Sequence, residues 1–232
     1  MSSILKCEKL TKRFGENVAL NELDLELSPG RIVGLFGKEG SGKTTLLKLA
    51  AGLLTPDGGS VLVNGFPPGA GSKRIAAFLP SEEAFDDRAS VRDLLRFYGD
   101  FYADFDRESA VSAVYGLGME AKEKLSELSK GSLTKLRVLL TMCRAAKLYL
   151  LDDPARGVDT ATLSFVLDTV VSRRAEGSCV VISSRAPSDV ERIIDDAVFI
   201  SGGRTALFED AEKLRAEKGR SVHTLFTEEF KC

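Results

Sequence analysis

Eight consecutive residues constrain this chain more than any others: Gly37, Lys38, Glu39, Gly40, Ser41, Gly42, Lys43 and Thr44. They stand between two apolar runs, Ile32-Val33-Gly34-Leu35-Phe36 and Thr45-Leu46-Leu47-Lys48-Leu49-Ala50-Ala51. The first has the length and continuity of a buried strand; the second reads as a helix. A glycine-rich turn between strand and helix points successive backbone N–H groups at one spot. The helix N-terminus adds unpaired donors and the positive end of its dipole. Lys43 then brings a fixed charge to β- and γ-phosphates, and the Thr44 hydroxyl is placed to hold Mg²⁺; Thr45, next in the chain, belongs with the loop to the nucleotide-binding set. The bland reading, a turn that happens to match, must ignore both flanking elements. The pattern implies nucleoside triphosphate binding on an α/β scaffold.

Composition sets the outer limits. The chain has 232 residues, 44% hydrophobic and 28% charged, as expected of a soluble globular protein with a sizeable core. A net charge of -2 gives no electrostatic case for a nucleic-acid partner. Cys7, Cys143, Cys179 and Cys232 are dispersed without metal-ligand spacing, and Cys143 and Cys179 sit in apolar runs as small core residues. A reduced, cytoplasmic compartment fits. The start, Met1-Ser2-Ser3-Ile4-Leu5-Lys6, has no secretory apolar region. No apolar run approaches the ~18 residues of a membrane span, so action at a membrane calls for another chain.

The first stretch reads as β-structure. Ile4 to Leu10 is a short strand, and Val18 to Leu27 alternates as a strand with one buried face. Thr55-Pro56-Asp57-Gly58-Gly59 breaks the helix that follows the loop; Val61-Leu62-Val63 is a strand closed by Asn64-Gly65. Pro67 to Ser72 reads as loop, and Ile75 to Leu79 as a strand ended by Pro80. From Ser90 to about Arg144 the pattern is helical, and Ser90 with Asp93 resembles a capping box. This block carries Phe97, Tyr98, Phe101, Tyr102 and Phe105. Most are expected to pack the small lobe, with one or two available to face a membrane-embedded partner. Strands return at Leu148–Leu151 and Cys179–Ile182 around a helix from about Thr160 to Arg174. Ala197–Ile200 and Thr205–Phe208 form a hairpin, and Asp210 to Cys232 is helical and peripheral.

Two further motifs carry chemistry. Leu148-Tyr149-Leu150-Leu151-Asp152-Asp153-Pro154 is an apolar strand ending in two carboxylates. After a phosphate-binding loop, the first acid holds Mg²⁺ and the second polarises an attacking water. Alone, such a pair is equally well a cap or turn; its place at a strand end favours the chemical reading. Leu128-Ser129-Lys130-Gly131-Ser132 precedes a helix from Leu133 to Arg144, and Ser129 with Gly131 at its start makes a second anion cradle.

With these residues in order, the chain resembles the ATP-binding subunit of ABC transporters over essentially its whole length. Phe14, the loop, the helical block, Leu128 to Ser132, the Asp152 strand and Arg156-Gly157-Val158-Asp159 follow the family's sequence of motifs. The Ser-Lys-Gly form and the segment from Phe97 to Asp106 look like the small bacterial ABC-2-type exporter ATPases. The resemblance implies one P-loop NTPase domain over residues 1–232. It would have an antiparallel β subdomain, a helical insertion at about 86–144 and peripheral C-terminal helices at about 210–232. It implies ATP and Mg²⁺ as ligands, adenine stacking on Phe14, and Thr44, Ser81 and Asp152 around the metal. It also implies a membrane-spanning permease and a second ATP-binding subunit, with each nucleotide lying between the loop of one chain and Ser129 and Gly131 of the other. The place of work is then the cytoplasmic face of the membrane, and the direction export.

The departures fall on the catalytic positions. Asp153 stands where the family has glutamate. Intrinsic basicity differs little, about 3.9 against 4.3, but one methylene of reach is lost, and a ~1 Å displacement can cost around a hundredfold. Arg185 follows Ser183-Ser184 where the family has its switch histidine; the only histidine, His223, lies far downstream. Arginine can contact a γ-phosphate as a permanent cation, but it neither titrates near neutrality nor accepts a hydrogen bond. Ser81 stands at the metal-contacting glutamine position and reaches Mg²⁺ only if the backbone moves inward. Binding is thus intact and hydrolysis altered at three positions. A slowly hydrolysing homodimer and a non-hydrolysing member of a heterodimer both follow. A stand-alone P-loop kinase would leave the Ser129 motif, the Asp159 segment and the helical block as accidents.

Overall fold

The computed structural model describes residues 3–81, 86, 88–218 and 221–230. Met1, Ser2 and Cys232 lie outside them. Strands β1 (Leu5–Phe14), β2 (Asn17–Leu27) and β4 (Gly58–Val63) form a three-stranded antiparallel sheet in the order β2-β1-β4. The chain enters the second sheet at β3 (Ile32–Phe36) and passes through the Gly37–Thr44 loop into helix α1 (Lys43–Ala50). A four-residue helix, α2 (Ala70–Lys73), interrupts the segment expected to be loop and leads to β5 (Ala76–Leu79).

The helical block holds α3 (Val91–Phe101), α4 (Arg107–Gly116) and α5 (Lys130–Met142). The expected capping box is present: Asp93 N–H donates to Ser90 Oγ, and Ser90 N–H donates to the Asp93 carboxylate at 2.8 Å. After it come β6 (Leu148–Asp152), α6 (Thr160–Arg173), β7 (Cys179–Ser184), β8 (Asp196–Ser201), β9 (Arg204–Asp210), α7 (Ala211–Lys218) and α8 (Val222–Phe230). The six-stranded sheet has the order β5-β6-β7-β3-β8-β9, parallel except for the β8–β9 hairpin.

Every residue of β3, β6 and β7 is buried, as continuous apolar strands in the middle of a parallel sheet should be. The two-residue alternation divides their side chains between two cores. Val33, Leu35, Leu148 and Leu150 pack with α1 and the antiparallel sheet. Ile32, Phe36, Tyr149 and Leu151 pack against α5, α6 and the C-terminal helices. Those last helices pack on this face of the sheet, where Ala211, Leu214, Val222 and Phe226 join the second core. A third core fills the helical block, and α5 serves two of them: Leu136, Leu139 and Leu140 face α3 and α4, while Val138 and Met142 face the sheet. Tyr98 is buried there; Phe97 and Phe101 are exposed and stack on one another with centroids 4.5 Å apart.

Arg144 ties the helical block to the sheet. Its buried guanidinium pairs with Asp104 at 3.0 Å, donates to the Ala76 carbonyl of β5 at 2.7 Å, and stacks over the Tyr102 ring.

Candidate functional site

Strand register brings the chemistry together. In the parallel sheet Phe36 lies beside Ser184, and Asp152 beside Ser183. The carboxyl ends of β3, β6 and β7 therefore emerge side by side, where ligands bind in open parallel sheets. A cavity of about 320 Å³ opens there, lined by Phe14, residues Glu39 to Thr45, Ser81, Asp152, Asp153 and Arg185, with Asn17, Lys48, Arg156 and Ser183 among its other walls.

The loop is shaped by its glycines. Gly42, directly before α1, has φ of +108°, and a Cβ there would sit 2.5 Å from the Ala19 carbonyl oxygen. No L side chain fits that backbone or that space. Lys43 is buried and curls over its own loop: Nζ donates to the carbonyls of Gly37 at 2.7 Å and Lys38 at 2.9 Å. Burial lowers the pKa of this ammonium, and the nearby Asp153 carboxylate opposes the shift most strongly.

Asp152 is 1% exposed and held from two sides. Thr44 Oγ1 lies 2.9 and 3.1 Å from its two oxygens, and Ser183 Oγ donates to Oδ1 at 2.8 Å. Ser183 also accepts from the Asp153 N–H at 2.9 Å. That second bond pins an unusual backbone, because Asp153 has φ of +49°, in the left-handed region. Aspartate is among the few residues that adopt it readily. Burial raises the Asp153 pKa, and the Arg185 guanidinium, with Nε 3.5 Å from Oδ2, pulls it back. The terminal nitrogens of Arg185 donate to both oxygens of Glu39, at 2.9 and 3.1 Å.

Phe14 is 49% exposed at the cavity, so its ring is free to meet a base, and the Lys12 ammonium lies 5.6 Å from its centroid. Ser81 reaches the same cavity as Asp152. Ser129 and Gly131 do not line it. Ser129 caps α5, its Oγ accepting from the Ser132 N–H at 3.1 Å, and Gly131 lies against Thr162 of α6. One chain therefore gathers the loop, both acids, Ser81 and Arg185 in one place, and carries the Ser129 cradle elsewhere.

Sequence reasoning used Ser183 only as a landmark and missed that it anchors both acids. It also missed Glu39 as the partner of Arg185, since the two are separated by 146 positions. Thr44 and Asp152 have the chemistry that a hard divalent cation requires. A hydroxyl and a carboxylate are hard oxygen donors, and Mg²⁺ commonly takes one or two protein oxygens with phosphate and water completing its shell. Among the described residues no cluster of three or more His, Cys, Asp or Glu side chains offers an all-protein cage. No described helix is long and apolar enough to cross a membrane.

Residues 20–156, more than half of the chain, match the family described as ABC transporter. An uncharacterised ABC transporter ATP-binding protein of Methanocaldococcus jannaschii is 29% identical over 219 residues, covering 92% of this chain and 80% of the relative. The Nod factor export ATP-binding protein I of Cupriavidus pinatubonensis is 30% identical over 88% of this chain and 65% of its own length. A lantibiotic transport ATP-binding protein of Streptococcus pyogenes is 26% identical over 88% of this chain and 90% of its own length. Among solved structures, an ATP-binding subunit of an ABC transporter superposes with a TM-score of 0.84 at 21% identity, covering 99% of this chain and 100% of that one. A dimeric ATP-binding cassette in a post-hydrolysis state with ADP and Pi has a TM-score of 0.76 at 19% identity, covering 89% of this chain and 98% of that one. The chain belongs to the ABC transporter family and is one of its ATP-binding ATPase subunits.

Proposed function

We propose that this subunit binds Mg-ATP in the 320 Å³ cavity, closes on a second ATP-binding subunit, and drives a membrane permease in the export direction, with weakened hydrolysis. One observation carries the reading: Lys43, Thr44, Asp152, Asp153 and Arg185, from three strand ends, converge on one cavity, while Ser129 and Gly131 lie outside its walls. A nucleotide bound there meets one set of these groups from its own chain and needs the other from a neighbour.

The roles follow from chemistry. Loop N–H groups and Lys43 neutralise the phosphates, and Phe14 stacks the adenine. Thr44 and Asp152 would hold Mg²⁺, with Ser81 nearby; the bound ion would neutralise charge developing on the β- and γ-oxygens. Asp153 orients the attacking water, and its raised pKa makes it a better proton acceptor than an exposed aspartate. Its short side chain and the Arg185 guanidinium beside it both limit that task. Ser129 and Gly131 face the neighbour's nucleotide. The names of the exporter relatives support the direction of transport. Exposed Phe97 and Phe101 support the permease contact; Phe101 and Leu53 border a cleft of about 660 Å³ beside the helical block. On this reading the protein works at the cytoplasmic face of a membrane.

Isothermal titration of Lys43→Ala with Mg-ATP tests the nucleotide site. Affinity should fall at least tenfold, because a charge-assisted contact to phosphate is lost. Wild-type affinity in the variant would refute the assignment.

A further inference from the structure

The carboxylate of Glu39 occupies the part of Arg185 that a phosphate would use. Arg185 donates Nη1 to one oxygen of Glu39 at 2.9 Å and Nη2 to the other at 3.1 Å. This is the bidentate fork by which guanidinium recognises carboxylate and phosphate alike. Glu39 belongs to the phosphate-binding loop after β3 and Arg185 to the turn after β7, and both line the cavity. Their pair therefore sits at the loop that cradles the phosphates. The inner edge of the guanidinium, Nε, points to Asp153 at 3.5 Å. Arg185 thus has one close two-pronged partner and one longer single one.

Four cations, Lys43, Lys48, Arg156 and Arg185, line the cavity with three acids, Glu39, Asp152 and Asp153. A third phosphate entering this site finds Lys43 buried against its own loop and Arg185 engaged. The Arg185–Glu39 pair is the easier of the two to open, because its side chains are 41% and 75% exposed. An exposed ion pair contributes little stability, whereas phosphate offers the same fork more charge.

We propose that Glu39 is a specificity-determining residue that stands in for the γ-phosphate: it holds Arg185 until ATP displaces it, so that Arg185 passes from Glu39 to the third phosphate. The inference rests on the nucleotide site proposed above and adds a role for Glu39 beyond shaping the loop. ADP lacks the group that claims Arg185, so with ADP the arginine stays on Glu39. The exchange couples occupancy of the third phosphate position to a contact beside Asp153. It also reduces the advantage of ATP over ADP by the free energy of the pair that must open.

The test is a set of titrations with Mg-ATP and Mg-ADP on wild type, Glu39→Gln, Arg185→Ala and the double variant. Thermal melts confirm folding, which an exposed glutamate should not disturb. In Glu39→Gln, ATP affinity should rise two- to fivefold, about 0.4–1 kcal/mol at 1.4 kcal/mol per tenfold, with ADP affinity unchanged. In Arg185→Ala, ATP affinity should fall and ADP affinity hold. Adding Glu39→Gln to Arg185→Ala should give no further gain, because direct repulsion from an exposed carboxylate is screened by salt. The proposal is overturned by unchanged or weaker ATP binding in Glu39→Gln, by equal gains for ATP and ADP, or by a gain that survives without Arg185. Lys43→Ala separates the two levels. Loss of both nucleotides there, with a flat response in Glu39→Gln, sinks the exchange alone. Intact binding in Lys43→Ala sinks the site and the exchange with it.

Discussion

Removing one hydroxyl, in Ser183→Ala, should damage both the stability of this protein and its hold on magnesium. Ser183 is 0% exposed and serves two partners: it donates to Asp152 Oδ1 at 2.8 Å and accepts from the Asp153 N–H at 2.9 Å. Loss of a hydrogen bond to a charged group costs about 1.5–3 kcal/mol, and an orphaned buried donor costs about 1–3 kcal/mol. Asp153 as a residue is only partly buried, so water partly relieves the second loss, and the total comes to about 2–4 kcal/mol. That is a large share of the ~5–15 kcal/mol that keeps a domain folded, yet short of unfolding it. The second effect is on geometry. Asp152 keeps Thr44 as a partner but loses its other anchor, and loss of an outer support typically weakens metal binding about 10–100-fold. Urea denaturation measures the first quantity; Mg²⁺ titration at fixed ATP measures the second. A change in stability within about 0.5 kcal/mol, the range of an indifferent surface substitution, together with unchanged Mg²⁺ dependence, would refute the anchoring role.

Asp153→Asn should stabilise the protein at pH 7.5. The folded-state pKa of Asp153 is raised, chiefly by burial, so the stability is full below the ordinary aspartate value near ~3.9 and falls as pH rises through the raised one. The advantage of the variant should close by about pH 3.5, and urea melts showing a less stable variant at pH 7.5 would contradict this. Arg144→Met should cost about 3 kcal/mol, the low end for breaking a buried pair, because Asp104 is 24% exposed and partly rescued by water; denaturant melts check it. Ser129→Arg should leave Mg-ATP affinity of the isolated chain unchanged, since Ser129 lies outside the cavity, and should abolish hydrolysis at the neighbour's nucleotide; paired titrations and ATPase assays read the two effects.

The loop was legible because its chemistry is contiguous: eight neighbouring residues make the cradle, and the strand and helix beside them are both apolar enough to be recognised. Asp152 and Asp153 were legible for the same reason, as the end of a buried strand. What joins distant segments was not. Ser183 meets Asp152 only because β6 and β7 pair in one register, and Glu39 meets Arg185 only because β3 and β7 are neighbours in the sheet. The five aromatics between Phe97 and Phe105 showed an interface or a core but not which. Packing divides them, burying Tyr98 and exposing Phe97 and Phe101. The C-terminal segment read as helical, but its sparse apolar residues did not disclose that four of them complete the second core.

The central claim, an intact ATP site joined to weakened hydrolysis, is tested most directly by the steady-state ATPase rate of the purified chain against a variant carrying Asp153→Glu, Arg185→His and Ser81→Gln together. The account predicts a wild-type rate well below ~1 s⁻¹ and a variant at least about tenfold faster, approaching typical enzyme turnover. A wild-type rate already at about 1–10 s⁻¹, left unchanged or lowered by the three substitutions, would contradict it.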